Sequence, residues 1–125
     1  MSIPKKRILI LDDDPDVREV LVEIVRTYGF NAIPVESARD AISTLTRQSV
    51  HLIILDLSMP EISGDQFLGF IRKKGAETPV MVVSGHVAPE IEESLREAGV
   101  RVIVKKPFEV ASIIDGMEEA MRKTL

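Results

Sequence analysis

Short apolar runs alternate along the chain with longer segments in which apolar residues recur every three or four positions. An uninterrupted apolar run is typical of a strand that is covered on both faces, whereas the longer spacing is typical of an amphipathic helix. Four runs are continuously apolar and predict buried parallel strands: residues 8–11, 52–55, 80–83 and 102–104. A fifth run contains Pro34, which has no N–H to donate to a sheet, so we place this strand at a sheet edge.

The helical segments are predicted from the same spacing and from the residues that begin and end helices. Pro15 suits the first turn of the first helix, and Gly29 suits its end. The apolar residues of that helix repeat at helical spacing: Val17, Val20, Leu21, Ile24, Val25 and Tyr28.

Polar residues at fixed offsets mark the start of two further helices. Ser37 precedes Asp40 by three positions and Ser63 precedes Gln66 by three, which is the spacing of a capping box. A fourth helix is predicted over residues 89–98, and a fifth follows the last strand. The alternation of strands and helices predicts five β/α units in a three-layer α/β/α sandwich.

Length and composition limit the possible classes of protein. The chain has 125 residues and no change of composition that marks a linker, so we predict one domain over residues 1–125. Hydrophobic residues make up 45% of the chain, enough for a core without disulfides, and there is no cysteine.

The absence of a signal peptide or a long apolar run favours a cytoplasmic protein without a membrane span. A net charge of −4, with one Tyr and no Trp, disfavours direct binding of nucleic acid.

Chemistry-bearing residues stand where the apolar runs end. They follow four of the predicted strands: Asp12, Asp13 and Asp14, then Asp56, then Ser84, then Lys105 and Lys106. Because ligands bind beyond the carboxyl ends of parallel strands, we expect these side chains to converge. Carboxylates that lie close together repel one another unless a cation neutralises them, and a set of oxygen donors favours Mg²⁺.

Four motifs occur in order at these strand ends. They are Asp12-Asp13 after Ile-Leu; Asp56-Leu57-Ser58-Met59-Pro60 with Gly64 beyond; Ser84 after Val-Val; and Lys106-Pro107-Phe108. With these motifs the chain resembles, from end to end, the receiver domain of two-component response regulators. The resemblance implies a flavodoxin-like fold with strand order 2-1-3-4-5 and the first strand central. It implies a scaffold role for Gly64 at the start of the third helix.

The resemblance also implies a role for each site residue. Asp56 would be the nucleophile that takes a phosphoryl group from a phosphohistidine of a sensor histidine kinase or histidine phosphotransfer protein. Asp13 and Asp56 would bind Mg²⁺ directly, the backbone carbonyl of Ser58 would be a third ligand, and Asp12 would act through water. Lys106 would pair with a phosphoryl oxygen, with a cis peptide bond to Pro107. Lys105 is interpreted as surface charge.

The implied switch involves a different part of the molecule. Ser84 would turn to the new phosphoryl group and reshape the face formed by the fourth helix, the last strand and the fifth helix, which signals to an output domain or partner protein. If phosphorylation drives dimerisation, we expect the interface on that face. Many receivers have an aromatic residue where this chain has Ile103, which is either part of an apolar docking patch or simple packing. His86 is either a solvated loop residue or one that tunes the phosphoryl lifetime.

Other functions remain open at this level. A small Mg²⁺-dependent phosphatase with an Asp nucleophile usually has a second acid two residues later, where this chain has Ser58. A flavodoxin-type cofactor carrier needs a neutral phosphate-binding loop, which the acidic residues after the first strand disfavour. A receiver that docks proteins without being phosphorylated is the third alternative. We expect a signalling domain rather than an enzyme.

Overall fold

The computed structural model describes residues 5–59 and 61–122, in which five strands and five helices alternate along the chain. The elements are β1 Arg7–Leu11, α1 Pro15–Thr27, β2 Asn31–Val35, α2 Ala38–Arg47, β3 Leu52–Leu55, α3 Gly64–Lys73, β4 Val80–Ser84, α4 Pro89–Glu97, β5 Val102–Lys105 and α5 Val110–Met121. All strand pairs are parallel, and the sheet order is β2-β1-β3-β4-β5. The predicted fold class and strand order are therefore confirmed, with β1 inside the sheet and β3 in the middle position.

The core lies on both faces of the sheet because side chains alternate along each buried strand. In β1, Ile8 and Ile10 pack toward α1 and α5, whereas Leu9 and Leu11 pack toward α2, α3 and α4. The strands β1, β3 and β4 are buried almost throughout, as their continuous apolar runs predict. Pro34 lies in β2, at the edge of the sheet, where its missing N–H costs no ladder hydrogen bond.

The apolar stripe of α1 is narrower than its spacing predicts. Leu21, Ile24 and Val25 are buried, but Val20 is 46% exposed and Tyr28 is 51% exposed. Val20 lies at the margin of the stripe. Tyr28 is the C-cap residue, so its side chain does not continue the line of the helix. The helix predicted from this spacing is present, but these two residues do not belong to its buried face.

Of the two predicted capping boxes, only one is complete. The Ser63 hydroxyl accepts from the N–H of Gln66, and the Gln66 side chain accepts from the N–H of Ser63 at 3.0 Å. At α2 the Ser37 hydroxyl accepts from the N–H of Asp40 at 3.2 Å, but between these two described residues the Asp40 carboxylate does not accept from the N–H of Ser37. Ser37 is thus an N-cap without the reciprocal half of the box.

No helix within residues 5–59 and 61–122 is long and apolar enough to cross a bilayer.

Candidate functional site

Most of the polar residues predicted for the site lie at the carboxyl ends of four strands. Asp12 follows β1, Asp56 follows β3, Ser84 ends β4 and Lys106 follows β5. Since these strands are parallel, their carboxyl ends lie on the same side. Asp12 and Asp56 are only 1% and 4% exposed, which places two carboxylates at the boundary between the core and the solvent.

Asp56 meets hydrogen-bond donors at both carboxylate oxygens. Its Oδ1 accepts from the Ser84 hydroxyl at 3.2 Å and from the N–H of Ser58 at 3.2 Å. Its Oδ2 lies 3.4 Å from Nζ of Lys106. The backbone N–H of Asp56 donates to the carbonyl of Leu11 at 3.0 Å, which fixes the end of β3 against β1. The Asp56 carboxylate is thus buried, and its orientation is fixed by hydrogen bonds and an ion pair.

Lys106 bridges two of the carboxylates. Its Nζ donates to Oδ2 of Asp12 at 2.9 Å and also faces Asp56. Its own N–H donates to the carbonyl of Ser84 at 3.0 Å, and its peptide bond to Pro107 is cis, as predicted. Burial acts to lower the pKa of Lys106, but the hydrogen bond to Asp12 and the charges of Asp12 and Asp56 outweigh it and raise that pKa above 10.5. Lys105 is exposed at the end of β5.

The carboxylates of Asp12, Asp13 and Asp56 form a cluster in which one oxygen from each lies within 4.8 Å of the others. Burial raises the pKa of Asp12; the hydrogen bonds from Lys106 and from the N–H of Asp14 act against this, and the charge of Asp56 adds to it. All donors in the cluster are carboxylate oxygens, which hard divalent cations prefer. The residues therefore fit a metal ion of this class. The carbonyl of Ser58 as a further ligand stays a prediction.

A contact that the sequence analysis missed holds the loop after β1. Arg18, in α1, donates from Nη1 to the backbone carbonyl of Asp12 at 2.7 Å. Its position one helical turn after the N-cap Asp14 was the available signal, because such a residue points back toward the loop before the helix.

Gly64 lies against the backbone that carries Asp56. A Cβ at this position would lie 2.5 Å from the carbonyl oxygen of Asp56 and 2.7 Å from Cα of Leu57. The scaffold role predicted for Gly64 thus has a steric basis: no side chain fits between α3 and the end of β3.

Ile103 is half-buried in β5 and packs on the face of the sheet that α2, α3 and α4 cover. This contact favours the packing interpretation of that residue. His86 is exposed in the loop after β4.

The sequence pattern of one family, described as the response regulator receiver domain, matches residues 8–118. The chain belongs to this family. It is a receiver domain of two-component signalling, with the flavodoxin-like fold of its relatives. Receivers of this kind are in general signalling domains rather than enzymes. Membership of this family argues against the alternative of a flavodoxin-type cofactor carrier.

Individual relatives agree with this assignment. The receiver is 32% identical over 110 residues to the response regulator protein FleR of Pseudomonas aeruginosa, a match that covers 87% of this chain and 23% of FleR. It is 28% identical over 115 residues to an uncharacterised 14.6 kDa protein of Leptolyngbya boryana, covering 90% of this chain and 88% of that protein. Its fold is similar to the CheY-like receiver domain protein of Methanospirillum hungatei, with a TM-score of 0.87 at 21% identity and 94% of each chain covered. The chain thus spans less than a quarter of FleR but most of the Leptolyngbya protein.

Proposed function

We propose that this receiver accepts a phosphoryl group from a phosphohistidine onto Asp56, with Mg²⁺, and that the phosphorylated domain signals to an output domain or a partner protein. The observation that supports this most strongly is the setting of Asp56. It is a nearly buried carboxylate beside two other acids, with Lys106, Ser84 and the N–H of Ser58 aimed at its oxygens. A purely structural acid needs no such convergence of four strand ends.

The reaction is a phosphoryl transfer between two nucleophiles. A carboxylate oxygen of Asp56 attacks the phosphorus of the phosphohistidine, the P–N bond breaks, and its electron pair returns to the imidazole nitrogen of the donor protein. The product on this chain is an aspartyl phosphate. The hydrogen bonds that hold Asp56 supply the fixed orientation that such an attack requires.

The acid cluster supplies the ligands for Mg²⁺. Asp13 and Asp56 would bind the ion directly, the carbonyl of Ser58 would be a third ligand, and Asp12 would act through water. When bound, Mg²⁺ offsets the negative charge that develops on the transferring phosphoryl oxygens. Lys106, which pairs with Asp12 and Asp56 before transfer, would then pair with a phosphoryl oxygen.

Ser84 connects the site to the signalling face. Its hydroxyl donates to Oδ1 of Asp56 in this structure. We propose that it turns to a phosphoryl oxygen after transfer and draws the loop after β4 inward, which moves α4 relative to β5 and α5. The change in this face would be the signal to the output domain or partner.

The proposed partners follow from this chemistry. The phosphoryl donor would be a sensor histidine kinase or a histidine phosphotransfer protein, in the cytoplasm, and residues 1–125 would act as one receiver domain. A homodimer formed on phosphorylation would use the α4, β5 and α5 face. Light scattering on phosphorylated and unphosphorylated protein tests the dimer, and an unchanged mass would contradict it.

Chemical mapping tests the acceptor directly. After incubation with phosphoramidate and Mg²⁺, hydroxylamine converts an acyl phosphate into a hydroxamate, which peptide mass spectrometry can locate. The expected result is a single hydroxamate at Asp56. A phosphate that resists hydroxylamine, or a hydroxamate at another acid, would contradict the proposal. A protein that takes up no phosphate would favour the docking receiver.

A further inference from the structure

Arg18 connects α1 to the loop that carries Asp12 and Asp13. Its side chain is half-buried and turns back from α1 onto the preceding loop, where Nη1 donates to the carbonyl oxygen of Asp12 at 2.7 Å. This is a short, charge-assisted hydrogen bond to the backbone. Within residues 5–59 and 61–122, Arg18 forms no ion pair with a carboxylate. Its guanidinium group interacts with the backbone of this loop instead.

We propose that Arg18 is a positioning residue for Asp13, and through Asp13 for the divalent cation. The inference rests on the proposed function, in which Asp13 is a direct ligand of Mg²⁺. Arg18 would touch neither the ion nor the phosphoryl group. It would act through the peptide unit that joins Asp12 to Asp13.

The geometry of that peptide unit explains the effect. The carbonyl oxygen of Asp12 and the N–H of Asp13 belong to one rigid plane. A bond that holds the oxygen therefore also fixes the orientation of the N–Cα bond of Asp13. On the far side of Asp13, the N–H of Asp14 donates to Oδ1 of Asp12 at 2.9 Å. The backbone of Asp13 therefore lies between two fixed peptide units.

The side chain of Asp13 has little else to hold it. It is exposed, in contrast to the buried carboxylates of Asp12 and Asp56, and in the described part of the chain no hydrogen bond or ion pair reaches its oxygens. Its place within 4.8 Å of the other two acids thus depends on the backbone. Groups that orient a ligand in this way are worth about 10–100-fold in metal affinity.

If Arg18 acted only through its charge, its removal would change the Mg²⁺ affinity in the opposite direction. The direction of the change in affinity therefore tests the inference. A cation near a cation site repels the bound ion, so removal of the Arg18 charge by itself would tighten Mg²⁺ binding. Loss of the hydrogen bond would weaken it. Arg18→Met removes both the charge and the bond, whereas Arg18→Lys keeps the charge and a hydrogen-bond donor at the end of the side chain.

The experiment is a calorimetric titration with Mg²⁺ of the wild type, Arg18→Met, Arg18→Lys and Arg26→Met. Arg26 is exposed in the last turn of the same helix, so its substitution removes an equal charge away from the loop. The expected result is binding that is about tenfold weaker in Arg18→Met, mostly recovered in Arg18→Lys and unchanged in Arg26→Met. The Mg²⁺ midpoint for phosphorylation by phosphoramidate should shift by the same factor, with the limiting rate retained. A folding defect would instead lower the limiting amplitude and leave the midpoint in place.

Two outcomes would overturn the inference. They differ in whether the proposed binding of Mg²⁺ is overturned as well. If the wild type binds Mg²⁺ and Arg18→Met binds it equally or more tightly, Arg18 is not a positioning residue and the proposed function stands. If the wild type does not bind Mg²⁺ at all, both the inference and the metal part of the proposed function are wrong.

Discussion

Lys106 and Asp12 are 94 positions apart in the sequence, yet Nζ of the lysine lies 2.9 Å from Oδ2 of the aspartate. The two residues follow β5 and β1, which are separated in the sheet by β3 and β4. The lysine therefore reaches across the strand ends and passes Asp56, to which it is 3.4 Å away. Within residues 5–59 and 61–122, Lys106 is the cation that pairs with both buried carboxylates.

Replacing this lysine should destabilise the metal-free protein. Lys106→Met leaves Asp12 and Asp56 buried without a cationic partner, and the free energy of unfolding should fall by about 1–3 kcal/mol. Urea unfolding in the presence of a chelator measures the difference. Lys105→Met, which removes an equal charge from an exposed neighbour, is the matched control and should change the stability little. Equal effects of the two substitutions would show that the bridge contributes nothing.

The contribution of Lys106 should disappear at alkaline pH. Its pKa is raised above 10.5 in the folded protein, so its stabilising effect is fully present below the unfolded pKa. As the pH rises through the folded pKa, the ammonium loses its proton and the stability falls, because the folded state binds more protons in this window. The stability difference between the wild type and Lys106→Met should be constant at neutral pH and shrink above 10.5. A difference that stays constant throughout would contradict the pKa shift.

Removing an exposed acid from the cluster should stabilise the metal-free protein. One oxygen of Asp13 lies within 4.8 Å of oxygens of Asp12 and Asp56, and like charges at such a distance repel one another. Asp13→Asn should raise the free energy of unfolding by about 1 kcal/mol in a chelator. The same substitution should abolish the stabilisation that Mg²⁺ gives the wild type. Asp115→Asn, on the exposed face of α5, should show neither effect.

Two glycines of α3 should respond to alanine in opposite ways. Gly64→Ala would place a Cβ against the backbone of Asp56 and Leu57, and should destabilise the protein by about 1–3 kcal/mol and slow phosphorylation. Gly69 is exposed in the same helix with nothing within 4 Å of a built Cβ, so Gly69→Ala should stabilise by about 0.5–1 kcal/mol. Thermal unfolding of the two variants measures both. A stabilising Gly64→Ala would show that the close approach is not rigid.

The fold was predictable because its signals are local. Continuous apolar runs identify buried strands without knowledge of their neighbours, and Pro34 alone identifies an edge. The residues that follow these runs could be assigned to one site because parallel strands end on one side. The order of the strands came from the family resemblance, since the apolar pattern does not say which strands are adjacent.

The features that were missed or wrong depend on distances that the sequence does not contain. Val20 and Tyr28 occur at the same helical spacing as the buried residues of α1, but both side chains are largely exposed. The capping-box spacing fits Ser37 as well as Ser63, and only side-chain geometry separates them. The bond from Arg18 to the Asp12 carbonyl involves a backbone atom, which a pattern of side chains does not reveal.

The central claim is that Asp56 is a Mg²⁺-dependent phosphoacceptor, and intact mass tests it most directly. Wild type and Asp56→Asn are incubated with acetyl phosphate or phosphoramidate, each with Mg²⁺ and with a chelator. The expected result is a gain of one phosphoryl group in the wild type with Mg²⁺, and no gain in the chelator or in Asp56→Asn. A wild type that gains no phosphoryl group under any of these conditions, or an Asp56→Asn variant that gains it as readily, would contradict the claim.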